Sequence, residues 1–324
     1  MLVIPYRATG FPKAAGASLH GAHDLPVTWE DLVWASVTVG KPGAAYLFAH
    51  GWHSINDIIV RIHTIYATLR ESGGQFRRST LYDAQDPSEK GATSYFLGMA
   101  VAKLFAEKLL KTPWLFHFSM TGPLGLPVRV RGALEPDLLG WLPGGSWLVA
   151  EAKGRTNGFS QSALDKAKGQ TKAVAAVSGT PPKVRIAVQA HFDPGLSARL
   201  HDPEAAESAG RRIDVDLAAA IQRYYAFANS VTSSPRRSRV IAGRRYDFAS
   251  LGDTGVALGM DNRARASIEA GRFDDLREEA TVDVRGTKEA EGISTYSDGL
   301  AIQLDSRWSS ERMTKQPTER SGGG

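Results

Sequence analysis

Asp137, Glu151 and Lys153 are residue types that can carry out hydrolytic chemistry, and the residues between them fix how they meet. Pro143-Gly144-Gly145 separates two apolar runs, "DLLGWL" and "SWLVA", and reads as the turn of a β-hairpin. Asp137 lies as far before Gly144 as Glu151 lies after it. An antiparallel hairpin folded about that turn sets the two carboxylates opposite one another, with Cβ atoms about 5 Å apart. Lys153 shares their face, because side chains alternate with a period of two along a strand. Leu148, Ala150 and Ala152 then point to the other, apolar side.

Two carboxylates this close repel unless a cation or a shared proton lies between them. A hard divalent ion, Mg²⁺ or Mn²⁺, relieves the conflict, and the backbone carbonyl of Ala152 offers a third oxygen ligand. The lysine adds a mobile donor that can orient an attacking water or stabilise charge on a pentacovalent phosphorus. The chemistry expected of this hairpin is metal-assisted attack by water on a phosphodiester. A Glu-x-Lys pair alone would be an exposed ion pair of little weight. The aspartate in matching register and the apolar run before the glutamate lift it above that.

Such groups need elements to hold them. Residues 1–45 are rich in Gly, Ala and Pro, with one strand-like run at 32–39. Ile55, Ile58, Ile59, Ile62, Ile65, Tyr66 and Leu69 recur at helical spacing, and Ser54 is placed to cap that helix. Residues 73–91 read as a loop. A helix is expected over 93–111, ended by Thr112-Pro113, with Gly98 and Ala102 spaced for close packing on a sheet. "WLFHFSM", "VRVRGALEPDLLGW" and "SWLVAEAK" read as three strands, "FSQSALDKAKGQTKAVAAVS" as a helix and "KVRIAVQAHF" as a fourth strand. Beyond His201 a helix is expected in "DVDLAAAIQRYYAFANSV" and strands in "RVIAGRRYDFASL", "GVALGMD" and "GLAIQLDSRW". Residues 309–324 lack apolar spacing and are expected to be disordered.

"PD" at Pro136-Asp137 followed by "EAK" at Glu151-Ala152-Lys153 resembles the PD-(D/E)XK nuclease superfamily, and the helix-strand-strand-strand-helix-strand order over residues 93–192 is similar to that family's core. The resemblance implies an α/β protein with a restriction-endonuclease-like core on a central mixed sheet. The core would occupy residues 76–200, after an N-terminal extension (1–75) with an amphipathic helix and before a C-terminal α+β extension (201–308). It implies that Asp137 and Glu151 bind the metal and that Lys153 assists the nucleophilic water. Gln170 is similar in placement to a glutamine that approaches the site in many members, and Gln161 sits earlier in the same helix. Val174 stands where exonuclease-type members carry an aromatic residue. Many members also carry a glutamate on the helix before the first strand; Glu89 and Glu107 lie near that helix's two ends without matching the position.

The implied activity is Mg²⁺-dependent hydrolysis of nucleic acid, DNA rather than RNA, in a setting such as prokaryotic antiviral defence or repair. The extensions are expected to serve substrate capture, homo-oligomer assembly or contact with a partner protein. Two alternatives stand beside this reading. One is a catalytically silent nucleic-acid-binding or protein-interaction module of the same fold, and the other is an effector held inactive until a partner or ligand releases it.

Composition narrows the rest. The 324 residues include no cysteine, which excludes disulfides, Cys-ligated zinc, iron–sulfur clusters and thiol catalysis. Hydrophobic residues make up 42%, as expected of a folded globular chain. No uncharged apolar run reaches about 18 residues, and no basic-then-apolar leader opens the sequence, so a soluble, cytoplasmic protein is expected. A net charge of +5 permits a polyanionic partner. Arginine pairs at Arg77-Arg78, Arg211-Arg212, Arg236-Arg237 and Arg244-Arg245 read as solvated loops or as phosphate contacts. His50, His53 and His63 lack a carboxylate that would fix a metal site, and His117 reads as a packed strand histidine. No Walker-type loop, nucleophile elbow or dinucleotide fingerprint is present.

Overall fold

A computed structural model describes residues 1–39, 52–118, 135–202, 210–234, 237–281, 292–309 and 312–313. The chain is a mixed α/β protein around a central mixed sheet. It opens with β1 (Val3–Thr9) and β2 (Gly21–Pro26), followed by α1 (Trp29–Thr38) and α2 (Trp52–Thr68). A hairpin of β3 (Leu69–Ser72) and β4 (Gln75–Arg78) leads through a short α3 (Thr80–Ala84) into the long α4 (Pro87–Leu110). Then come β5 (Leu115–His117), β6 (Leu138–Leu142), β7 (Ser146–Gly154), α5 (Gln161–Lys172), β8 (Val174–Val177), β9 (Val184–Phe192) and β10 (Leu196–His201). β11 (Arg211–Ile213) pairs with β8, and α6 (Leu217–Thr232) follows.

The central sheet runs β3-β4-β1-β10-β9-β7-β6-β5, with β2 added to β1. β7 lies parallel to β9, and β1 lies parallel to β10. β5, β6 and β7 form an antiparallel run. The first 78 residues thus give four strands to the same sheet that carries β6 and β7. A second sheet, ordered β12-β13-β14-β16-β15, is built from β12 (Arg237–Ile241), β13 (Arg244–Ser250), β14 (Val256–Asp261), β15 (Ile293–Thr295) and β16 (Leu300–Leu304). Between β14 and β15 lie α7 (Asn262–Glu269) and α8 (Phe273–Thr281). One continuous buried cluster runs from Ile4 to Met313 and includes side chains from both sheets. Among the described residues no helix is long and apolar enough to cross a membrane.

Several expectations from sequence are corrected. Residues 32–39 are not a strand: α1 covers 32–38, because Thr28 and Asp31 close a reciprocal capping box (2.9 and 3.2 Å) and Trp29 with residues 31–37 is buried. A helix that is apolar all round loses its periodicity and mimics a β-branched strand. Residues 73–91 are not a loop, since they hold β4, α3 and the start of α4. That helix begins at Pro87 because Asp86 and Glu89 form a second capping box. The helix expected to reach residue 178 ends at Lys172, and "VAAV" becomes β8, paired with β11. "RVIAGRRYDFASL" is two strands, turned at Ala242-Gly243 with both residues at positive φ. α2 starts two residues before Ser54, which is therefore not its cap. His50, Arg236, most of the tail and the start of the second expected strand lie outside the described residues.

Candidate active site

The hairpin forms in the expected register. Gly144 and Gly145 take φ of 86° and 83°, Leu142 faces Ser146, and Leu138 faces Ala150. Carried one residue further, that register sets Asp137 against Glu151. The Asp137 N–H donates to Glu151 Oε2 (2.8 Å), and the Ala152 N–H donates to Asp137 Oδ2 (3.0 Å). Lys153 Nζ donates to Glu151 Oε1. The N–H and C=O of one strand residue leave by the same edge, so the Ala152 carbonyl lies on the Asp137 side.

The neighbouring elements explain this placement. Gly154 faces α4 so closely that a Cβ there would meet the Ser94 carbonyl oxygen at 1.6 Å, and one on Gly98 would meet Gly154 N at 2.7 Å. Ala152 shares that face by strand alternation. Glu151 and Lys153 therefore project to the opposite face, the one covered by α5, where Leu164 and Ala167 pack on Ala187, the register partner of Glu151.

Glu151 is fully buried, while the Lys153 side chain keeps 30% of its surface. Burial, and then the Asp137 charge, push the Glu151 carboxyl well above the ordinary glutamate range, against the pull of Lys153. Burial also raises Asp137, partly offset by the Ala152 N–H and Lys153. The pair is thus short of positive charge. Two hard oxygen donors facing each other across the hairpin, with a backbone carbonyl beside them, fit a hard divalent cation. Among the described residues no third His, Cys, Asp or Glu joins them to make a complete metal cluster, so further coordination positions would fall to water and substrate.

The other predicted residues divide. Gln170 Nε2 donates to the Glu135 carbonyl (2.9 Å), two residues before Asp137, and so steadies the backbone rather than touching the carboxylates. Glu135 is held as well by Arg211 (2.5 Å). Gln161 is exposed and binds Asp165. Glu89 caps α4, and Glu107, near that helix's far end, accepts from Ser297. His117 faces Leu138 in register and so leaves by the face away from the carboxylates.

Two residues near the site are not among those the sequence analysis singles out. Tyr95, on α4, is close enough that Asp137 and Glu151 both raise its phenol, after burial as the largest cause. Gln189 is the register partner of Lys153, and its buried amide accepts from Ser160 N (2.7 Å) and donates to Ser160 O (2.8 Å), clamping the start of α5. A lone glutamine inside "VRIAVQAHF" was the readable signal for it; Tyr95 had none. Comparison with protein-family models, curated proteins and solved structures finds no match to this chain.

Proposed function

We propose that this protein is a divalent-metal-dependent nuclease of the PD-(D/E)XK kind, acting on DNA rather than RNA. The observation that carries the proposal is the contact of Asp137 and Glu151 on paired strands with Lys153 bonded to Glu151. Further support comes from the succession α4-β5-β6-β7-α5-β9, interrupted only by β8 of the small separate sheet, with β7 and β9 parallel, which is the arrangement expected of a restriction-endonuclease-like core. Asp137, Glu151 and the Ala152 carbonyl would hold Mg²⁺ or Mn²⁺. The bound ion would lower the pKa of a water and neutralise phosphate charge. Lys153, whose side chain keeps 30% of its surface, would orient the attacking water and donate to the charged phosphoryl oxygens. Gln170 keeps the approach to Asp137 in register through Glu135.

Supercoiled plasmid, linear duplex DNA, single-stranded DNA and RNA incubated with the protein, in Mg²⁺ and separately in EDTA, test this reading. Nicking that needs the metal and falls by about 100-fold or more in Lys153→Ala and Glu151→Gln is expected. Absence of metal-dependent cleavage, or a Lys153→Ala variant equal to the parent, would overturn it. The Lys153 contact favours one rival, a silent module of the same fold, because an ammonium already compensates Glu151. That rival predicts nucleic-acid binding with no cleavage, even when partner proteins are added.

A further inference from the structure

Among the described residues, exposed tyrosine, phenylalanine and tryptophan rings are scarce, and their distribution is uneven. Tyr95 (44% exposed) and Phe159 (37%) are the ones that stand open to solvent. Both lie at the approaches to the candidate active site, one from each side of the sheet. Tyr95 comes from α4, at the turn that presses on Gly154, and its phenol senses both carboxylates. Phe159 comes from the segment between β7 and α5, next to the Ser160 that Gln189 clamps. The end of β7, bearing Lys153, runs between them.

The strand register adds a cationic track. Lys153 pairs with Gln189, Gln189 with Arg199, and Arg199 with Arg7, so one row crosses β7, β9, β10 and β1 on the carboxylate-bearing face. At the usual strand spacing the row is about 14 Å long. The Arg199 guanidinium sits 5.1 Å from the Phe159 ring centre, joining the track to the aromatic platform. Arg7 is exposed, and among the described residues neither Arg7 nor Arg199 joins an ion pair.

An exposed ring gains little from duplex DNA, whose base faces are stacked on one another. It gains much from an unpaired base, whose π-face is free, while arginines follow the phosphates. We propose that the site takes single-stranded nucleic acid, with bases stacked on Tyr95 and Phe159 and phosphates running along Arg199 and Arg7. This rests on the nuclease reading for the identity of the reacting centre and adds the class of strand that reaches it.

Binding measured in EDTA separates the two claims, because no metal chemistry enters it. Fluorescence anisotropy with labelled oligothymidine and with a duplex of equal length, on the full chain, should show the single strand bound more tightly. Tyr95→Ala and Phe159→Ala should each weaken single-strand binding by about 5- to 150-fold, the equivalent of one lost base stack, and leave duplex binding nearly unchanged. Tyr95→Phe should bind like the parent, which separates stacking from any role of the hydroxyl and shows that the position tolerates change. Arg199→Gln should weaken binding and flatten its salt dependence. Equal affinity for duplex and single strand, or alanine variants that bind like the parent or lose both substrates alike, overturns the inference. Metal-dependent plasmid nicking alongside such a result would leave the nuclease reading standing. Tight single-strand binding without cleavage of any substrate would refute that reading alone.

Discussion

Glu151 is the residue on which stability and chemistry pull in opposite directions. In the folded chain it and Asp137 titrate above their ordinary values, whereas in the unfolded chain they titrate normally. Between those values the folded state holds more protons than the unfolded one. Stability contributed by the pair is therefore present at acid pH and is lost as pH rises through neutrality. A divalent cation held by the proposed site would reverse this, because it would bind the ionised pair. Mg²⁺ should accordingly raise Tm more at pH 8 than at pH 6, as read by scanning fluorimetry; an equal effect at both would mean that the ion sits elsewhere. Glu151→Gln should abolish cleavage and raise the metal-free Tm at pH 8 by about 2–4 °C, corresponding to about 1 kcal/mol. These residues were legible in sequence because Asp137, Glu151 and Lys153 belong to one hairpin, whose turn is local. Tyr95 was not, since only the packing of α4 on Gly154 brings it near.

α4 is the element that sets the site's depth. Asp86 accepts from Ser88 N (2.6 Å) and Glu89 N (3.1 Å) at its start, and Lys111, at φ 54°, closes its end. Between these caps lies Gly98, and with Gly154 at the end of β7 it lets helix and strand backbones touch. On Gly154 an added Cβ would meet backbone at 1.6 Å, where nothing flexible can yield, whereas on Gly98 the nearest atom is 2.7 Å away. Gly98→Ala should cost about 1–3 kcal/mol through overpacking, and Gly154→Ala more than that, as measured by urea midpoints. Both should slow cleavage by shifting Lys153, the residue before Gly154. Equal stability of the two variants with the parent would mean that helix and strand lie further apart. The helix itself was readable from its periodicity, and Gly98 with Ala102 announced its close approach. α1 was not readable, because its capping box precedes a run buried on every side, and period is the signal that such burial erases. β1 and β2 escaped for another reason. β1 finds its partners β10 and β4 far away in sequence, β2 pairs only with β1, and a mixed polar strand such as "VIPYRAT" acquires meaning only when paired.

Across the whole molecule, the central sheet and the C-terminal sheet are joined by a buried polar knot that no sequence window contains. Lys103, on α4, is fully buried with its ammonium 4.4 Å from the Trp34 ring centre, and it donates to Pro113 O and to Tyr224 OH. Asp298, in the turn before β16, accepts from Trp34 Nε1 (3.0 Å), across 264 residues of chain, and from Tyr224 OH (2.6 Å). Burial brings the Lys103 ammonium down to about 8, against the opposing charges of Asp298 and Glu107. Such a knot ties α1, α4, α6 and the β15–β16 turn into one unit, so unfolding should follow a single transition by tryptophan fluorescence and by circular dichroism. Removing one charge strands the other: Asp298→Ala should cost about 3–5 kcal/mol, whereas Lys103→Met combined with Asp298→Leu should recover much of that loss, because an apolar pair leaves no buried charge uncompensated. A double variant as unstable as Asp298→Ala alone would show that the aspartate acts through its hydrogen bonds to Trp34, Tyr224 and Leu300 N rather than as the lysine's counter-ion. Cleavage by the double variant carries the second half of the argument. If the C-terminal sheet merely braces α4, activity should return with stability; activity still lost in a restored fold would make the charged knot itself part of how α4 presents Tyr95 and Gly98 to the site.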